Sequence, residues 1–292
     1  MGKILAVWSD SKKVGKSIVT YMLAKRMSEN KKLKVLVCCL NLKYSSLYRL
    51  FGVEFSATGL EDIINYKLFE NFNEDIIKKV LPGHDDIAFL GSYKMTDMYA
   101  RRNIEKYMEL FKELKKYFDL IIIDTVSGTQ NALTNLILQT ADAIMNLYTQ
   151  DIESIRGLHE VKEEQPPYHQ NTIYLVSKYR NIYPRLSDLK RRFGLNKVYT
   201  LEYCETLQEM KNRDSLHLYL QRETACNKSI EKISAHLLET LCLPSDNLEL
   251  DSANTTESGG LERFFKRIGI AGRREKHENT SEIEFKRINE LY

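Results

Sequence analysis

The sequence predicts an α/β fold: a mostly parallel sheet of about seven strands with helices on both faces, followed by a C-terminal tail. Three observations carry that expectation. Short apolar runs recur through the first two-thirds of the chain. Longer amphipathic stretches separate them. The runs are continuous rather than alternating, as strands buried on both faces require.

In order, the strands are read at Lys3–Trp8, Lys34–Cys39, Ile87–Leu90, Asp119–Asp124, Ala143–Leu147 and Thr172–Ser177, with a weaker seventh at Val198–Leu201. Helices are read between them at Ser17–Met27, Asn103–Tyr117, Gln130–Gln139, Ser154–Glu164 and Ser187–Phe193. Pro166-Pro167 breaks the chain before the sixth strand. Helices at Glu205–Lys211 and Asn227–Cys242 close the compact part near Leu243. The texture then turns polar. The organisation expected is a nucleotide-binding domain over 1–243, a flexible linker over 244–260, a basic amphipathic helix over 261–276 and a short tail helix over 277–292.

Composition narrows the function classes. Hydrophobic residues form 43% of the 292, enough for a large core. Lys and Arg number 43 against 40 Asp and Glu, so the net charge of +3 excludes a histone-like nucleic-acid packer. No run of about eighteen apolar residues is present to cross a membrane as a helix. The first apolar run stops at Ser9, too short for the core of a secretory signal, and Ala6 stands where a myristoylation signal needs Ser or Thr. The five cysteines, Cys38, Cys39, Cys204, Cys226 and Cys242, lack CxxC spacing and read as reduced, buried thiols in a cytoplasmic protein. The six histidines are scattered without metal-ligand spacing.

The first strand runs directly into Ser9-Asp10-Ser11-Lys12-Lys13-Val14-Gly15-Lys16-Ser17, and a helix follows. Gly-Lys-Ser between a strand and a helix is the working core of a phosphate-binding loop, or P-loop. The glycine lets the backbone approach a phosphate, the lysine reaches the β- and γ-phosphates, the serine hydroxyl ligates Mg²⁺, and the helix N-terminus adds partial positive charge. Asp10 stands where the generic pattern has a second glycine. A Gly-Lys-Ser alone recurs by chance. The strand Leu120-Ile121-Ile122-Ile123-Asp124 supports it, because an acid at such a strand end holds the Mg²⁺ shell in P-loop proteins. The pair predicts nucleotide binding with ATP and Mg²⁺ as cofactors. Ser11, Lys12, Lys13, Val14, Gly15, Lys16, Ser17 and Ile18 are the candidate nucleotide-binding residues, and Ser17 and Asp124 the candidate metal ligands.

With these residues in view, the loop resembles the deviant Walker A motif of the MinD/ParA superfamily, Lys-Gly-Gly-x-Gly-Lys-Thr/Ser, in which position 10 varies. Asp124-Thr125-Val126-Ser127-Gly128 resembles that group's second switch, Asp-Ser/Thr-Pro-x-Gly. Thr140-Ala141-Asp142-Ala143-Ile144 and Ser154-Ile155-Arg156 resemble its Ala-Asp strand and the helix start that follows. Val35–Gly52, ending Ser46-Leu47-Tyr48-Arg49-Leu50-Phe51-Gly52, resembles the first-switch region and its downstream Leu-rich helix. The resemblance covers about residues 1–243. It implies a P-loop NTPase fold of the SIMIBI type, an ATPase activity, a homodimer and a role in spatial positioning, with TadZ/CpaE-like pilus placement or MinD-like site selection as examples.

Three departures qualify what the resemblance implies. The signature lysine that crosses a dimer interface falls on Ser11, and the two glycines after it on Lys12 and Lys13. Lys12 or Lys13 either replaces that lysine by a one-residue shift or stays solvated while no nucleotide sandwich forms. The first switch's Asp-x-Asp falls on Cys39-Leu40-Asn41. Asn41 orients water but cannot take its proton, which predicts hydrolysis slowed by about two to four orders of magnitude. The candidate catalytic residues are Lys16, Lys12 and Asn41, and the switch residues Asn41 and Gly128. On the base side, Ser177-Lys178-Tyr179 replaces the family's Asn or Arg. Tyr179 reads either as a base-stacking ring or as an ordinary surface tyrosine.

In the tail, Leu261, Phe264, Phe265 and Ile268 fall on one helical face, with Arg263, Lys266 and Arg267 beside or opposite it and Arg273, Arg274 and Lys276 following. Two Phe on one face with basic residues around them suit an anionic lipid surface, and the segment resembles the membrane-targeting helix of MinD proteins. The other reading is a helix docked on the protein's own surface or on a partner. Ser281-Glu282-Ile283-Glu284 has capping-box spacing before a stripe of Phe285, Ile288 and Tyr292. The function expected is therefore an ATP-binding positioning protein at the inner face of the membrane that recruits or places a larger machine through a protein partner, with slow or absent hydrolysis. A nucleotide-binding scaffold without hydrolysis and a ParA-like partition factor binding DNA are the alternatives. The latter has only Lys190, Arg191 and Arg192 in its favour, so nucleic acid is the disfavoured partner.

Overall fold

A computed structural model describes residues 1–244 apart from 31, 43, 44, 46, 53–57, 82, 85, 93, 94, 157–170 and 196. The linker and both tail segments expected over 244–292, including Leu261, Arg263, Phe264, Phe265, Lys266, Arg267 and Ile268, lie outside the described residues beyond Pro244.

The strands are β1 Lys3–Trp8, β2 Val35–Cys39, β3 Gly83–His84, β4 Ile87–Gly91, β5 Leu120–Asp124, β6 Ala143–Tyr148, β7 Thr172–Tyr179 and β8 Val198–Glu202. They form one sheet in the order β3-β4-β2-β5-β1-β6-β7-β8. The seven expected strands pair in parallel, and the two-residue β3 adds an antiparallel edge beside β4. β1 is flanked by β5 and β6, so its end meets the ends of both. In open α/β sheets ligands bind outside the carboxyl ends of strands where the order reverses, which is where β1 delivers the loop after Trp8.

Helices cover both faces. The main ones are α1 Lys16–Ser28, α2 Leu47–Leu50, α3 Leu60–Asn65, α4 Glu74–Val80, α5 Asp97–Arg102, α6 Ile104–Leu114, α7 Ala132–Thr140, α8 Leu186–Phe193, α9 Glu205–Asn212, α10 Leu216–Leu220 and α11 Ala225–Thr240. Of the helix expected at Ser154–Glu164, residues 152–156 are helical and the rest lie outside the described residues. The strand period of two splits the core. Leu5, Val7, Val37 and Ile122 face α1 and α11 in one cluster. Ile4, Ala6, Leu36 and Ile123 face α6 and α7 in the other. Each β1, β2 or β5 side chain from Ile4 to Val7, Val35 to Cys39 and Leu120 to Ile123 is at most 2% exposed, which is why these runs are apolar without alternation.

At the amino ends of the strands, Asp142 ties the base together. Its carboxylate accepts the Ile4 amide at 2.8 Å and pairs with Lys115 Nζ at 2.8 Å and Lys3 Nζ at 3.5 Å. The Asp142 read from the Ala-Asp pattern therefore positions β6 against β1 at the end of the sheet opposite the loop.

Candidate functional site

The site is built on the carboxyl ends of β1 and β5. α1 begins at Lys16, and Gly15 before it has φ 95° and ψ 18°. That left-handed backbone favours glycine, and a Cβ at Gly15 would meet nothing within 4 Å, so the space before the helix is open. No side chain caps the helix N-terminus and no acid lies in its first turn, which leaves its amide dipoles uncompensated. The same helix end presents Lys16 and Ser17.

Ser17 Oγ donates to Asp124 Oδ2 at 2.7 Å. Asp124 Oδ1 is buried and has no hydrogen-bond partner among the described residues. Burial pushes the Asp124 carboxyl up to about 6, opposed by the Ser17 hydroxyl and the Lys16 charge. Burial also lowers the Lys16 ammonium from its ordinary value, with Asp124 opposing. A hydroxyl and a carboxylate side by side, one carboxylate oxygen unpartnered, are the hard oxygen donors that Mg²⁺ takes. The residues present therefore fit that ion.

Lys16 Nζ donates to Ser127 Oγ, and Ser127 Oγ in turn donates to the carbonyl of Ser11 at 3.0 Å. Gly128 takes φ 76°, donates its amide to Ser9 O at 3.1 Å and receives Trp8 Nε1 on its carbonyl at 3.1 Å. The second switch is thus stitched to the loop it follows by residues more than a hundred positions away. Lys12 is exposed, and Lys13 takes a left-handed φ of 61°. The Lys13 carbonyl accepts Lys178 Nζ at 2.8 Å, and the Val14 carbonyl accepts the Ser177 hydroxyl at 2.5 Å. Two residues at the end of β7 therefore hold the loop from the other side. Ile18 packs its partly buried side chain on the α1 side of the core.

The first-switch positions differ from these. Cys39 sits in register beside Asp124 and is buried, as is Cys38. Burial and the neighbouring Asp124 charge push the Cys39 thiol up to about 12, against the amides of Asn41 and Leu47 that lower it. It stays protonated and apolar in character. Asn41 is exposed just past Leu40, whose amide bonds the Asp124 carbonyl at 3.0 Å. The structure therefore brings Asn41 to the same end of the sheet without burying it. All five cysteines are free, but the expectation of buried thiols holds only for Cys38, Cys39 and Cys226: Cys204 is half-buried and Cys242 exposed because it follows the end of α11.

Sequence reasoning missed two residues. One is Ser127, which reads as a turn serine until the fold brings Lys16 to it. The other is Tyr203. A small cavity of about 50 Å³ beside the loop is lined by Val14, Gly15, Ile18, Ser177, Lys178 and Tyr203, among others. Tyr203 is partly exposed, and the Arg180 guanidinium lies 3.8 Å from its ring centroid. Tyr179, the sequence candidate for base stacking, instead packs against a satellite core cluster with Val176 and Leu189. The signal available was position: Tyr203 directly follows β8, at the carboxyl edge. A larger cavity of about 700 Å³ opens at the other end of the strands between Leu33, Val35, Ile77 and Phe118, away from every sequence-predicted site residue. Its ion pair of Lys34 and Glu74, at 3.2 Å, is exposed on both sides and contributes little. The polar constellation of Lys16, Ser17 and Asp124 lies at the loop rather than at the larger cavity. Arg191, from the basic run considered for nucleic acid, pairs with Asp188 one turn earlier at 3.3 Å. Among the described residues, no helix is long and apolar enough to cross a membrane.

Neither a protein-family model nor a curated sequence matches the chain. Solved structures do. A ParA family ATPase from Chlorobium tepidum superposes with a TM-score of 0.68 at 16% identity, over 81% of this chain and 100% of that one. The septum site-determining protein MinD complexed with Mg-ADP from Pyrococcus horikoshii gives 0.64 at 15%, over 87% and 100%. A plasmid partition protein from Borrelia burgdorferi bound to AMPPNP gives 0.60 at 19%, over 82% and 99%. With its parallel sheet and the loop between β1 and α1, this chain has the fold of the MinD/ParA superfamily of ATPases.

Proposed function

We propose that this protein binds ATP with Mg²⁺ and uses the bound state to control dimerisation and residence at an anionic membrane surface, where it positions a larger assembly. The observation that carries the nucleotide reading is the constellation of Lys16, Ser17 and the half-partnered Asp124 at an uncapped helix N-terminus. Lys16 and the first amides of α1 would hold the phosphates, and Ser17 with Asp124 would hold the ion, which supplies charge neutralisation to the phosphates. That two structures of this fold contain Mg-ADP and AMPPNP supports the same choice of ligand. Tyr203 and the cavity beside Gly15 would take the base. Hydrolysis is slow, because Cys39 cannot serve as a carboxylate and Asn41 cannot accept a proton.

The membrane part rests on the tail sequence. Four apolar side chains at about 1.5–3 kcal/mol each are offset largely by ordering at about 1 kcal/mol or more per residue. One tail binds weakly, and two in a dimer bind far better through effective concentration. Light scattering should show dimers with ATP and Mg²⁺ in the wild type and monomers in Lys16→Ala. Monomers in both, or dimers in both, would sink the switch. Co-sedimentation with anionic vesicles should rise with ATP and collapse in the Phe264→Asp, Phe265→Asp double variant; unchanged sedimentation refutes the lipid helix.

A further inference from the structure

We propose that Ser127 is a positioning residue for Lys16, holding the lysine's ammonium until a phosphate oxygen displaces it, so that Ser127 sets the affinity threshold of the loop. The inference rests on the phosphate-binding reading and adds a residue to it.

The hydroxyl of Ser127 is fixed on both sides. It accepts from Lys16 Nζ and donates to the Ser11 carbonyl at 3.0 Å. One lone pair is thereby aimed at the ammonium, and the rotor has no freedom to turn away without breaking a bond. The backbone around it is braced as well. Val126 donates its amide to Thr134 Oγ1 at 3.2 Å, and Asn135 Nδ2 donates to the Thr129 carbonyl at 2.6 Å, both from α7. Gly128 is held by Ser9 and Trp8 on the β1 side. The serine that engages Lys16 is therefore presented by a segment clamped between the end of β1 and the start of α7.

A neutral hydroxyl is a modest partner for a half-buried ammonium. A phosphate oxygen makes a charge-assisted bond roughly twice as strong. Exchange of Ser127 for phosphate is therefore favourable, yet each binding event must first break the Lys16–Ser127 contact. Removing the hydroxyl abolishes that opposition and leaves the lysine waiting for its ligand. Thr keeps the hydroxyl and should keep the threshold.

Equilibrium titration of the full chain with AMPPNP and Mg²⁺, and separately with pyrophosphate, tests this. Ser127→Ala should bind both probes about three- to tenfold more tightly, the scale of one exchanged hydrogen bond. Ser127→Thr should match the wild type, an outcome that a merely structural serine would not single out. If the alanine variant does not fold, Ser127→Cys replaces it, since a thiol is a weak acceptor and should give the same gain. Unchanged or weaker binding in a folded Ala or Cys variant overturns the proposal. Binding that survives in Lys16→Ala overturns the phosphate reading itself, a result separable from the first.

Discussion

The ends of β2 and β5 lie side by side, in register, and have opposite chemistry. Cys39 pairs with Asp124, both are nearly inaccessible, and both project toward α1. At the end of β5 burial raises a carboxyl to about 6 and leaves one of its oxygens unpartnered. At the end of β2 burial raises a thiol to about 12 and the side chain joins the apolar cluster around Leu47 and Tyr48. A buried, half-satisfied carboxylate costs stability, so its presence marks a position where charge is needed. A buried thiol behaves as a small hydrophobe and costs nothing comparable. On the proposed reading, the strand end that would hold the ion keeps its polar donors, while position 39, where an acid would help activate water, has been given over to packing.

The largest effect expected from breaking this contrast is at Asp124. Its folded value near 6 stands above the ordinary 3.8, so the native state keeps a proton that the unfolded chain releases. Stability is then greatest at low pH with respect to this group and falls as pH rises from about 4 to about 6. Above that window the buried charge costs on the order of 3 kcal/mol. Asp124→Asn, which keeps an acceptor for Ser17, should therefore raise the melting temperature at pH 7.5 and leave it unchanged near pH 4. The same variant should weaken Mg²⁺-dependent AMPPNP binding about a hundredfold or more. In the wild type that binding should fall by about tenfold per unit as pH drops below 6, because the protonated carboxyl cannot hold the ion. Calorimetric melts and titrations across pH check both halves. An asparagine variant that is less stable at pH 7.5, or that binds as the wild type does, would make Asp124 an ordinary structural acid.

The contrast was partly legible in the chain itself. Gly15, Lys16 and Ser17 are contiguous, and a contiguous motif carries its geometry with it. Asp124 was found because it ends an apolar strand, and strand ends in a parallel sheet share one edge. The β-runs are legible to within about two residues because burial on both faces keeps β1, β2 and β5 apolar almost throughout. From Leu47 to Arg102 periodicity reveals no helix, and only α2 is expected, from the resemblance of the first-switch region. α2, α3, α4 and α5 have four, six, seven and six residues, too few for a helical period to show. Ser127 and Tyr203 stayed hidden for a different reason. The Lys16–Ser127 contact spans 111 positions, and nothing local to Ser127 announces a lysine. Tyr203 follows the weakest strand, and its partner Arg180 comes from another strand end.

A smaller effect tests the other side of the comparison. Asn41 lies past the end of β2 and is exposed, whereas Cys39 is buried against Asp124. Placing an acid at Cys39 would set two carboxylates beside each other in the core, and the fold would resist it. An acid at position 41 meets water instead, so Asn41→Asp should change stability by no more than about 0.5 kcal/mol. It restores a proton acceptor near the phosphate end of the site but leaves Cys39 in place. We therefore expect single-turnover ATP hydrolysis to rise only about tenfold, less than the full two to four orders that a well-placed general base supplies. Nucleotide affinity should stay as it was, since Lys16, Ser17 and Asp124 are untouched. A rate that does not move would mean that the exposed end of β2 never reaches the attacking water. The contrast between the two strand ends would then lie in geometry rather than in the missing charge.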